Sequence, residues 1–495
     1  MSSESAVAQS RGWITWSSLG LGVTGIGQFA LLAALARMLG PSDFGVVTAV
    51  LVVIGAGRVV HASIGPALVQ RAELREDHIR AALLLACATA VAMTALVFWI
   101  APGAAWFFRD EALTPVLRAM SLLYVTQMLG IVPEALLQRD MRLKELAIAE
   151  TLSVVVGLLP VGIALAASGS GAYALVGANL AQAAVKCAAF VWQRPQSLSM
   201  RTTRGALRDV SLYSSGVLAA GLFNYAASQG DNAVVGRSMS AAALGIYGRA
   251  YQLMSMPAMF LGEVVDRIVF PLLSRVQDDR ERLRAAYARG VSLCACVMAP
   301  AAAVSIALAD EITLVALGPG WSDVAPTFAA LCCGLVFRAG YKLSDMLARA
   351  TGTVYARAWR QAVFAALLLL GALVGSEKGT IGVAVGVVLA LFCNYVLMAW
   401  LSLSTTGMRW REFASLHVRG LLLAALFGVS AAASAAWLRS IGASSIVVLL
   451  LATTASCCVF LAVAIASPSR VLGADGVWLW QTIAGRSRDS RSAAA

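Results

Sequence analysis

Long apolar stretches separated by short polar connections occupy most of this chain, from residue 13 to residue 466. Most of them contain about 20 residues, the length with which an α-helix crosses the hydrocarbon core of a bilayer. Fourteen such stretches follow one another: Trp13–Ala36, Phe44–Val69, Ile79–Ala101, Leu113–Leu137, Leu146–Ala167, Ala172–Trp192, Ser211–Val235, Ala242–Val264, Ala285–Ala309, Val324–Leu347, Trp359–Gly375, Ile381–Leu403, Leu421–Leu438 and Ser445–Ala466. The pattern predicts an all-α polytopic membrane protein with about fourteen transmembrane helices.

The composition agrees with this prediction. Of the 495 residues, 59% are hydrophobic and 13% are charged, and the mean hydropathy is +0.78. A soluble domain carries about 25% charged residues, so a soluble protein of this size is excluded. The first apolar stretch is too long for the core of a signal peptide, so it predicts an uncleaved first span.

The net charge of +12 would suggest a nucleic-acid partner in a soluble protein. With the N-terminus inside, however, 27 basic residues fall on the inner side of the fourteen predicted spans and 5 on the outer side. The outer five are Arg37, Arg109, Arg237, Lys378 and Arg439. This asymmetry is the positive-inside rule. It predicts that both tails, residues 1–12 and 468–495, are cytoplasmic, and it removes the reason to expect nucleic acid.

An internal repeat divides the predicted spans. The segment Arg37–Gly45 recurs 200 residues later as Arg237–Gly245, with arginine and glycine eight positions apart in both copies. Trp106 has a counterpart in Trp321. Spans one to six therefore repeat as spans seven to twelve. Because six is an even number, both copies enter the membrane from the same side, which predicts a pseudo-two-fold axis along the membrane normal.

The repeat predicts two six-helix lobes and two further helices. The N-lobe covers residues 13–196 and the C-lobe residues 205–405. Residues 419–467 form the last two helices, which lie outside the repeat and carry no charge in mid-span. We expect these two helices to be peripheral and the functional site to lie between the lobes.

Five short motifs occur in a telling order: Leu39-Gly40-Pro41-Ser42-Asp43-Phe44-Gly45, Gln138-Arg139-Asp140-Met141-Arg142, Asp231-Asn232, Leu244-Gly245-Ile246-Tyr247 and Phe270-Pro271-Leu272-Leu273-Ser274-Arg275. With them, roughly residues 10 to 470 resemble the multidrug/oligosaccharidyl-lipid/polysaccharide exporter superfamily. Within its polysaccharide-exporter branch, the Wzx-type and colanic-acid-exporter-like flippases are the most similar.

The resemblance implies a flippase that moves undecaprenyl-diphosphate-linked oligosaccharide repeat units across the bacterial inner membrane. Such units serve exopolysaccharide, capsule, O-antigen and lipopolysaccharide synthesis. The mechanism it implies is alternating access of two lobes around a cationic cavity. The polymerase and glycosyltransferases of the same pathway are then possible partners. Because each half of the chain supplies one lobe, we expect a monomer to be sufficient.

The sequence shows no catalytic constellation and no phosphate-binding Gly-Lys loop. The nine cysteines lie in apolar stretches, away from His61, His78 and His417. We therefore expect neither an enzyme nor a bound cofactor or metal. Two alternatives stay open at this point. One is a small-molecule exporter of the same fold, and the other is an envelope glycosyltransferase, which would need acidic residues or a large loop at a membrane face.

Charged residues inside predicted spans are the candidate site. A charge at mid-bilayer costs about 2.5–3.5 kcal/mol on insertion scales, so it should face the bundle interior or a wet cavity. Arg58 lies near the middle of span two, with His61 on the same helix face. Arg338 and Lys342 share one face of span ten. The hypothesis is that Arg58 and Arg338, one in each lobe, bind the lipid diphosphate. Interhelical pairing or polar packing is the alternative.

Two weaker groups of candidates complete the set. Asn179, Gln182 and Lys186 form a polar stripe on span six, which is suited either to sugar hydroxyls or to helix–helix hydrogen bonds. Asp231 and Arg249 lie near the outer ends of spans seven and eight, where a structural ion pair competes with a transport role. The acidic residues at inner span ends, among them Glu134 and Glu150, are expected to pair with neighbouring arginines.

Overall fold

The computed structural model describes residues 25–466, apart from residues 72, 196–198, 200, 276–278 and 352. Within this part the chain is almost entirely helical and contains no β-strand. The prediction of an all-α fold is confirmed. Both predicted tails, the first half of the first span and the side chain of His61 lie outside the described residues.

Nineteen α-helices are numbered here in chain order, within the described residues. They are α1 (Gly25–Ala36), α2 (Pro41–Ala62), α3 (Gly65–Gln70), α4 (Glu76–Phe108), α5 (Leu113–Gln127), α6 (Ile131–Arg139), α7 (Leu143–Leu152), α8 (Leu159–Ala167), α9 (Ala172–Gln193), α10 (Arg204–Ser238), α11 (Ala241–Arg275), α12 (Arg280–Ala307), α13 (Ala309–Leu317), α14 (Val324–Cys332), α15 (Leu335–Ala350), α16 (Val354–Ser376), α17 (Gly379–Thr406), α18 (Trp410–Ser440) and α19 (Ser445–Ala466). A π-helical segment, Ser153–Leu158, joins α7 to α8.

Nine helical spans of the described chain are long and apolar enough to cross a membrane, or up to eleven if two bent pairs count as one span each. The chain is thus a multi-pass membrane protein. Helices α10 and α11 have 35 residues each and would be long enough at 1.5 Å per residue. Charges such as Asp231 and Arg249 make them less apolar. The count of fourteen is compatible with these helices and stays a prediction.

Two spans are bent at a break in the helix. Helices α5 and α6 meet at 46°, and α14 and α15 meet at 43°. A glycine lies at each break, Gly130 in the first pair and Gly334 in the second. These are spans four and ten of the predicted repeat, so the two bends occupy equivalent positions. This agrees with the predicted repeat, which stays a prediction.

The described helices divide into two compact units. Unit 1 comprises residues 1–248, 316–321 and 372–383, and unit 2 comprises residues 249–315, 322–371 and 384–495. Helix α10 therefore belongs to unit 1, whereas the repeat assigns it to the second lobe. The lobe boundaries at residues 196 and 205 stay a prediction.

Within unit 1, the N-terminal ends of α2 and α11 cross at two glycines. A Cβ atom built on Gly45 would overlap the backbone of Ala241, and one built on Gly245 would overlap the backbone of Pro41. Only glycine allows two helix backbones to approach this closely. The two glycines are the repeat-related pair of the sequence motifs, so the crossing explains why both copies carry one.

Aromatic contacts hold the same end of unit 1. The indole of Trp321 donates a hydrogen bond of 2.7 Å to the carbonyl of Ala36 and packs edge-on against Phe44, with ring centroids 5.1 Å apart. The guanidinium of Arg237 lies 5.5 Å from the ring centroid of Trp106. Each repeat thus presents a tryptophan that contacts the beginning of the other copy.

In unit 2, α18 packs along α12. Gly420 allows the approach, because its Cβ would lie 2.6 Å from the carbonyl oxygen of Ala295. At one end an ion pair joins Arg284 of α12 to Glu412 of α18 at 2.5 Å, and at the other Arg439 of α18 pairs with Glu311 of α13 at 2.7 Å. Burial raises the pKa of the Glu311 carboxyl, but the hydrogen bonds that Arg439 donates, a backbone hydrogen bond and the charge of Arg439 together lower it more, so this pKa lies below its ordinary value. Helix α19 packs on α18.

Candidate functional site

A cavity of about 230 Å³ lies within unit 1, where α2, the bend between α5 and α6, and α9 come together. Its lining is part apolar and part charged: Arg58, Ala62, Gln127, Gly130, Ile131, Glu134, Ala183, Lys186, Cys187 and Phe190. Two of the predicted site residues, Arg58 and Lys186, are therefore brought to one place although they are far apart in the sequence.

The cavity lies beside interruptions in two spans. Helix α2 ends at Ala62, and α5 and α6 are separated at Gly130. A Cβ on Gly130 would lie 3.2 Å from the Cα atom of Cys187, so this glycine lets α9 approach the break closely. Irregular backbone at membrane depth is tolerated where it lines a cavity, and broken spans characterise transporter binding sites.

Lys186 holds an ion-pair cluster at this cavity. Its Nζ atom lies 2.5 Å from Glu150 and 3.4 Å from Glu134, and it also lies 5.3 Å from the ring centroid of Phe190. The prediction that these two glutamates pair with arginines is wrong. Helices α6 and α7 both pack on α9, so the carboxylates meet a lysine of that helix instead. The positive charge of Lys186 is compensated by its neighbours.

Arg58 differs from Lys186 in this respect. Its side chain is exposed, and it forms no ion pair or hydrogen bond with any residue that the structure describes. It lies one turn before the C-terminal end of α2, the end of a helix that favours a cation. The cavity therefore contains one cation without a described ion pair and one lysine that pairs with two carboxylates. The guanidinium of Arg58 is the group in this cavity that is placed to bind an anion.

Two tyrosines fix the part of α2 that carries Arg58. The hydroxyl of Tyr124 donates to the carbonyl of Ile54 at 2.7 Å, and that of Tyr225 donates to the carbonyl of Leu51 at 2.7 Å. These carbonyls lie one to two turns before Arg58. The tyrosines come from α5 and α10, so three helices set the position of the arginine.

Glycines make room for the two hydroxyl groups. A Cβ atom on Gly57 would overlap the hydroxyl of Tyr124, and one on Gly55 would overlap the hydroxyl of Tyr225. Both glycines cost helix stability relative to alanine. Two glycines just before an arginine in mid-span are thus a signal in the sequence for close packing at this site.

The other two residues of the polar stripe on α9, Asn179 and Gln182, do not line this cavity. The amide of Asn179 donates to Leu175 of its own helix at 2.8 Å. The backbone of Gln182 packs against the π-helical segment, where a Cβ on Gly157 would lie 2.9 Å from its Cα atom. Of the three predicted residues, Lys186 lines the cavity.

Asp231 is fully buried in unit 1 and accepts a hydrogen bond of 2.7 Å from the hydroxyl of Tyr247. It also accepts a hydrogen bond of 2.8 Å from the backbone amide of Asn232. Arg249 is the first residue of unit 2. The buried tyrosine contact gives Asp231 a structural partner in the helix hairpin.

The predicted residues of α15 lie in unit 2. Arg338 is one turn beyond the break at Gly334, and its guanidinium donates to the hydroxyl of Tyr251 at 2.5 Å and lies 4.7 Å from that ring centroid. Asp345, farther along α15, forms ion pairs with Arg349 and Arg357. Lys342 lies between Arg338 and Asp345 along α15 and is partly buried. No cluster of three or more metal-binding side chains occurs among the described residues.

Removing the lysine of the ion-pair cluster is expected to destabilise the fold. In Lys186→Met, the carboxylates of Glu134 and Glu150 lose their counter-charge in a partly enclosed cavity, which is strongly unfavourable. We expect the amount of monodisperse detergent-extracted protein to fall several-fold. The double variant Lys186→Met, Glu150→Gln should recover much of it, because a single carboxylate then remains. Accumulation of Lys186→Met at the wild-type level would contradict a stabilising role of the cluster.

Comparison with known proteins places this geometry in context. A family model described as a polysaccharide biosynthesis protein matches residues 34–326, more than half of the chain. The lipopolysaccharide biosynthesis protein WzxC of Escherichia coli (strain K12) is 23% identical over 411 residues, which are 80% of this chain and 82% of that protein. The succinoglycan biosynthesis transport protein ExoT of Rhizobium meliloti (strain 1021) is 25% identical over 326 residues, 66% of this chain and 65% of its own.

Among solved structures, the lipid II flippase MurJ in an inward closed conformation superimposes with a TM-score of 0.74. The match covers 92% of this chain and 99% of that one at 12% sequence identity. At this identity the likeness is one of fold.

Proposed function

Because the chain belongs to the family of polysaccharide biosynthesis proteins, we propose that it is a flippase for lipid-linked oligosaccharides. Its substrate is an undecaprenyl-diphosphate-linked repeat unit, which it carries across the bacterial inner membrane by alternating access. One relative is a succinoglycan biosynthesis transport protein and the structural neighbour is a lipid II flippase, and both similarities support transport of such a molecule.

The observation that carries the proposal is the uncompensated Arg58 in a cavity beside two helix breaks. A diphosphate is doubly charged and is very costly to expose to hydrocarbon, so a flippase must offer positive charge within the membrane. Arginine suits this task because its planar guanidinium donates to two phosphate oxygens at once. Arg58 is proposed as the phosphate contact of unit 1.

Further contacts are proposed for the other predicted residues. Arg338 is the corresponding cation of unit 2, and its stacking on Tyr251 orients the guanidinium. His61 and Lys342 are proposed to add positive charge or hydrogen bonds. The polar residues Asn179, Gln182, Lys186, Asp231 and Arg249 stay candidates for contacts with the sugars.

We propose that the protein transports its substrate without changing the substrate chemically and is therefore not an enzyme. It would act as a monomer, with both termini in the cytoplasm, alongside the polymerase and glycosyltransferases of one pathway. These proposals go beyond the two established points, that the chain is a multi-pass membrane protein and that it belongs to this family.

Deletion of the gene tests the function directly. The deletion strain should lose its surface polysaccharide and accumulate lipid-linked repeat units that remain on the cytoplasmic face of the inner membrane. Expression of the chain should reverse both changes. Loss of polysaccharide without accumulation of the lipid-linked unit would point to a biosynthetic step before translocation, and increased sensitivity to cationic drugs alone would point to a small-molecule exporter.

Reporter fusions test the proposed orientation. Cytoplasmic reporters should be active at four positions and periplasmic reporters at two, because the basic residues are concentrated on one side. The cytoplasmic positions are Arg80, Gln193, Arg289 and Ala495, and the periplasmic positions are Gly169 and Gly318. A reversed signal in either group would contradict the fourteen-span topology.

A further inference from the structure

An apolar groove runs along the outer half of α4 in unit 1, separate from the cavity that contains Arg58. Its volume is about 450 Å³. Helices α2, α4 and α10 all contribute to its walls: Val52, Val53, Trp99, Ile100, Gly103, Ala104, Phe107, Phe108 and Ala233. None of these side chains carries a charge, so the groove suits a hydrocarbon chain.

Gly103 keeps the groove open. A Cβ atom built on it would meet no atom within 4 Å, so the space beside it is empty of protein. Trp99, in the groove wall, is 83% exposed, and Trp106 at its end is 75% exposed. Tryptophans at this exposure are typical of the interface between lipid tails and headgroups. The groove therefore opens toward the bilayer, with its end near the headgroup level.

A guanidinium stands at this end. Arg237 lies 5.7 Å from the ring centroid of Phe107, which lines the groove, and 5.5 Å from that of Trp106. The two aromatic faces hold the cation by cation–π attraction and leave it partly exposed. Basic residues are rare on the predicted outer side, where Arg237 is one of 5. Its position at the mouth of an apolar groove matches a ligand with one negative head and an apolar tail.

We propose that this groove binds one anionic phospholipid of the surrounding bilayer. One acyl chain fills the space beside Gly103, and the phosphate lies against Arg237. The guanidinium of Arg237 matches the single negative charge of a phosphodiester headgroup such as that of phosphatidylglycerol. The inference goes beyond the proposed function and does not depend on it.

Lipid retention tests the proposal. The full chain is reconstituted in vesicles of equal phosphatidylglycerol and phosphatidylcholine and extracted, and bound lipid is measured by native mass spectrometry. The wild type should retain one phosphatidylglycerol per chain. Arg237→Gln should reduce the preference for phosphatidylglycerol over phosphatidylcholine at least fivefold. Gly103→Leu should reduce retention of both lipids, because the new side chain fills the groove while leucine favours the helix.

Arg118→Gln is the matched control, since Arg118 stacks on Phe98 at 4.4 Å and does not line the groove. It should behave as the wild type. Equal lipid preference in the wild type and Arg237→Gln would overturn the proposal, even if Gly103→Leu failed to fold. Replacement of bound phosphatidylglycerol by undecaprenyl phosphate at equal concentration would also overturn it, because the occupant would then be a carrier lipid.

Discussion

Arg58→Ala is expected to abolish polysaccharide export while the protein still accumulates in the membrane. The variant removes the cation of the unit 1 cavity whose charge no described neighbour compensates. The exposed side chain of Arg58 forms no hydrogen bond or ion pair with the described residues, so its loss should affect substrate binding more than folding. The measurement is surface polysaccharide in a complemented deletion strain, with the membrane-bound protein quantified in the same cells. We expect export to fall at least tenfold.

Three further variants sharpen this test. Arg58→Lys should recover part of the export, because it keeps the charge without the bidentate geometry of arginine. Arg118→Ala, at a stacked arginine away from the cavity, is the matched control and should export normally. The double variant Arg58→Ala, Arg338→Ala extends the test to unit 2. Full export by this double variant would refute both assignments.

The second large effect is expected where α2 and α11 cross at Gly45 and Gly245. In Gly45→Ala, the new methyl group occupies the space of the Ala241 backbone, which cannot rotate away as a side chain could. Overpacking of this kind typically costs about 1–3 kcal/mol. Gly245→Ala should have a similar effect, since its methyl group overlaps the backbone of Pro41. Thermal unfolding of the detergent-extracted protein measures the loss, and export should fall with it.

Gly40→Ala is the control for this pair. Its methyl group would lie 3.9 Å from the hydroxyl oxygen of Ser42, an ordinary contact distance. The control should unfold at nearly the wild-type temperature. If all three alanine variants unfolded together with the wild type, the close crossing of α2 and α11 would be refuted.

Much of the fold could be predicted, because the sequence features that determine it are periodic or repeated. Apolar length alone indicates the spans, and the family match confirms the resemblance drawn from the short motifs. The repeat placed Gly45 and Gly245 in equivalent positions, and the structure brings these two residues together. Helices α10 and α11 are harder to assign from the sequence, because charges inside a long helix lower its hydropathy without ending it.

The site was only partly predictable. Arg58 stood out because a charge in mid-span is costly and needs a reason. Glu134 and Glu150 did not stand out, because they are predicted at inner span ends, where pairing with arginine is common. Their contact with Lys186 depends on the bend at Gly130 and on the packing of three helices, and neither is visible in a linear pattern.

The hydrogen bond from Trp321 to Ala36 joins residues 285 positions apart, and this separation has a consequence for biosynthesis. The ribosome releases the N-terminus first, so the last carbonyls of α1 are made long before the indole that covers one of them. Carbonyls at a helix end have no donors within their own helix. A nascent chain that stops before residue 321 therefore leaves the carbonyl of Ala36 without this donor. The end of α1 gains this hydrogen bond only after a segment 285 residues farther along has been made.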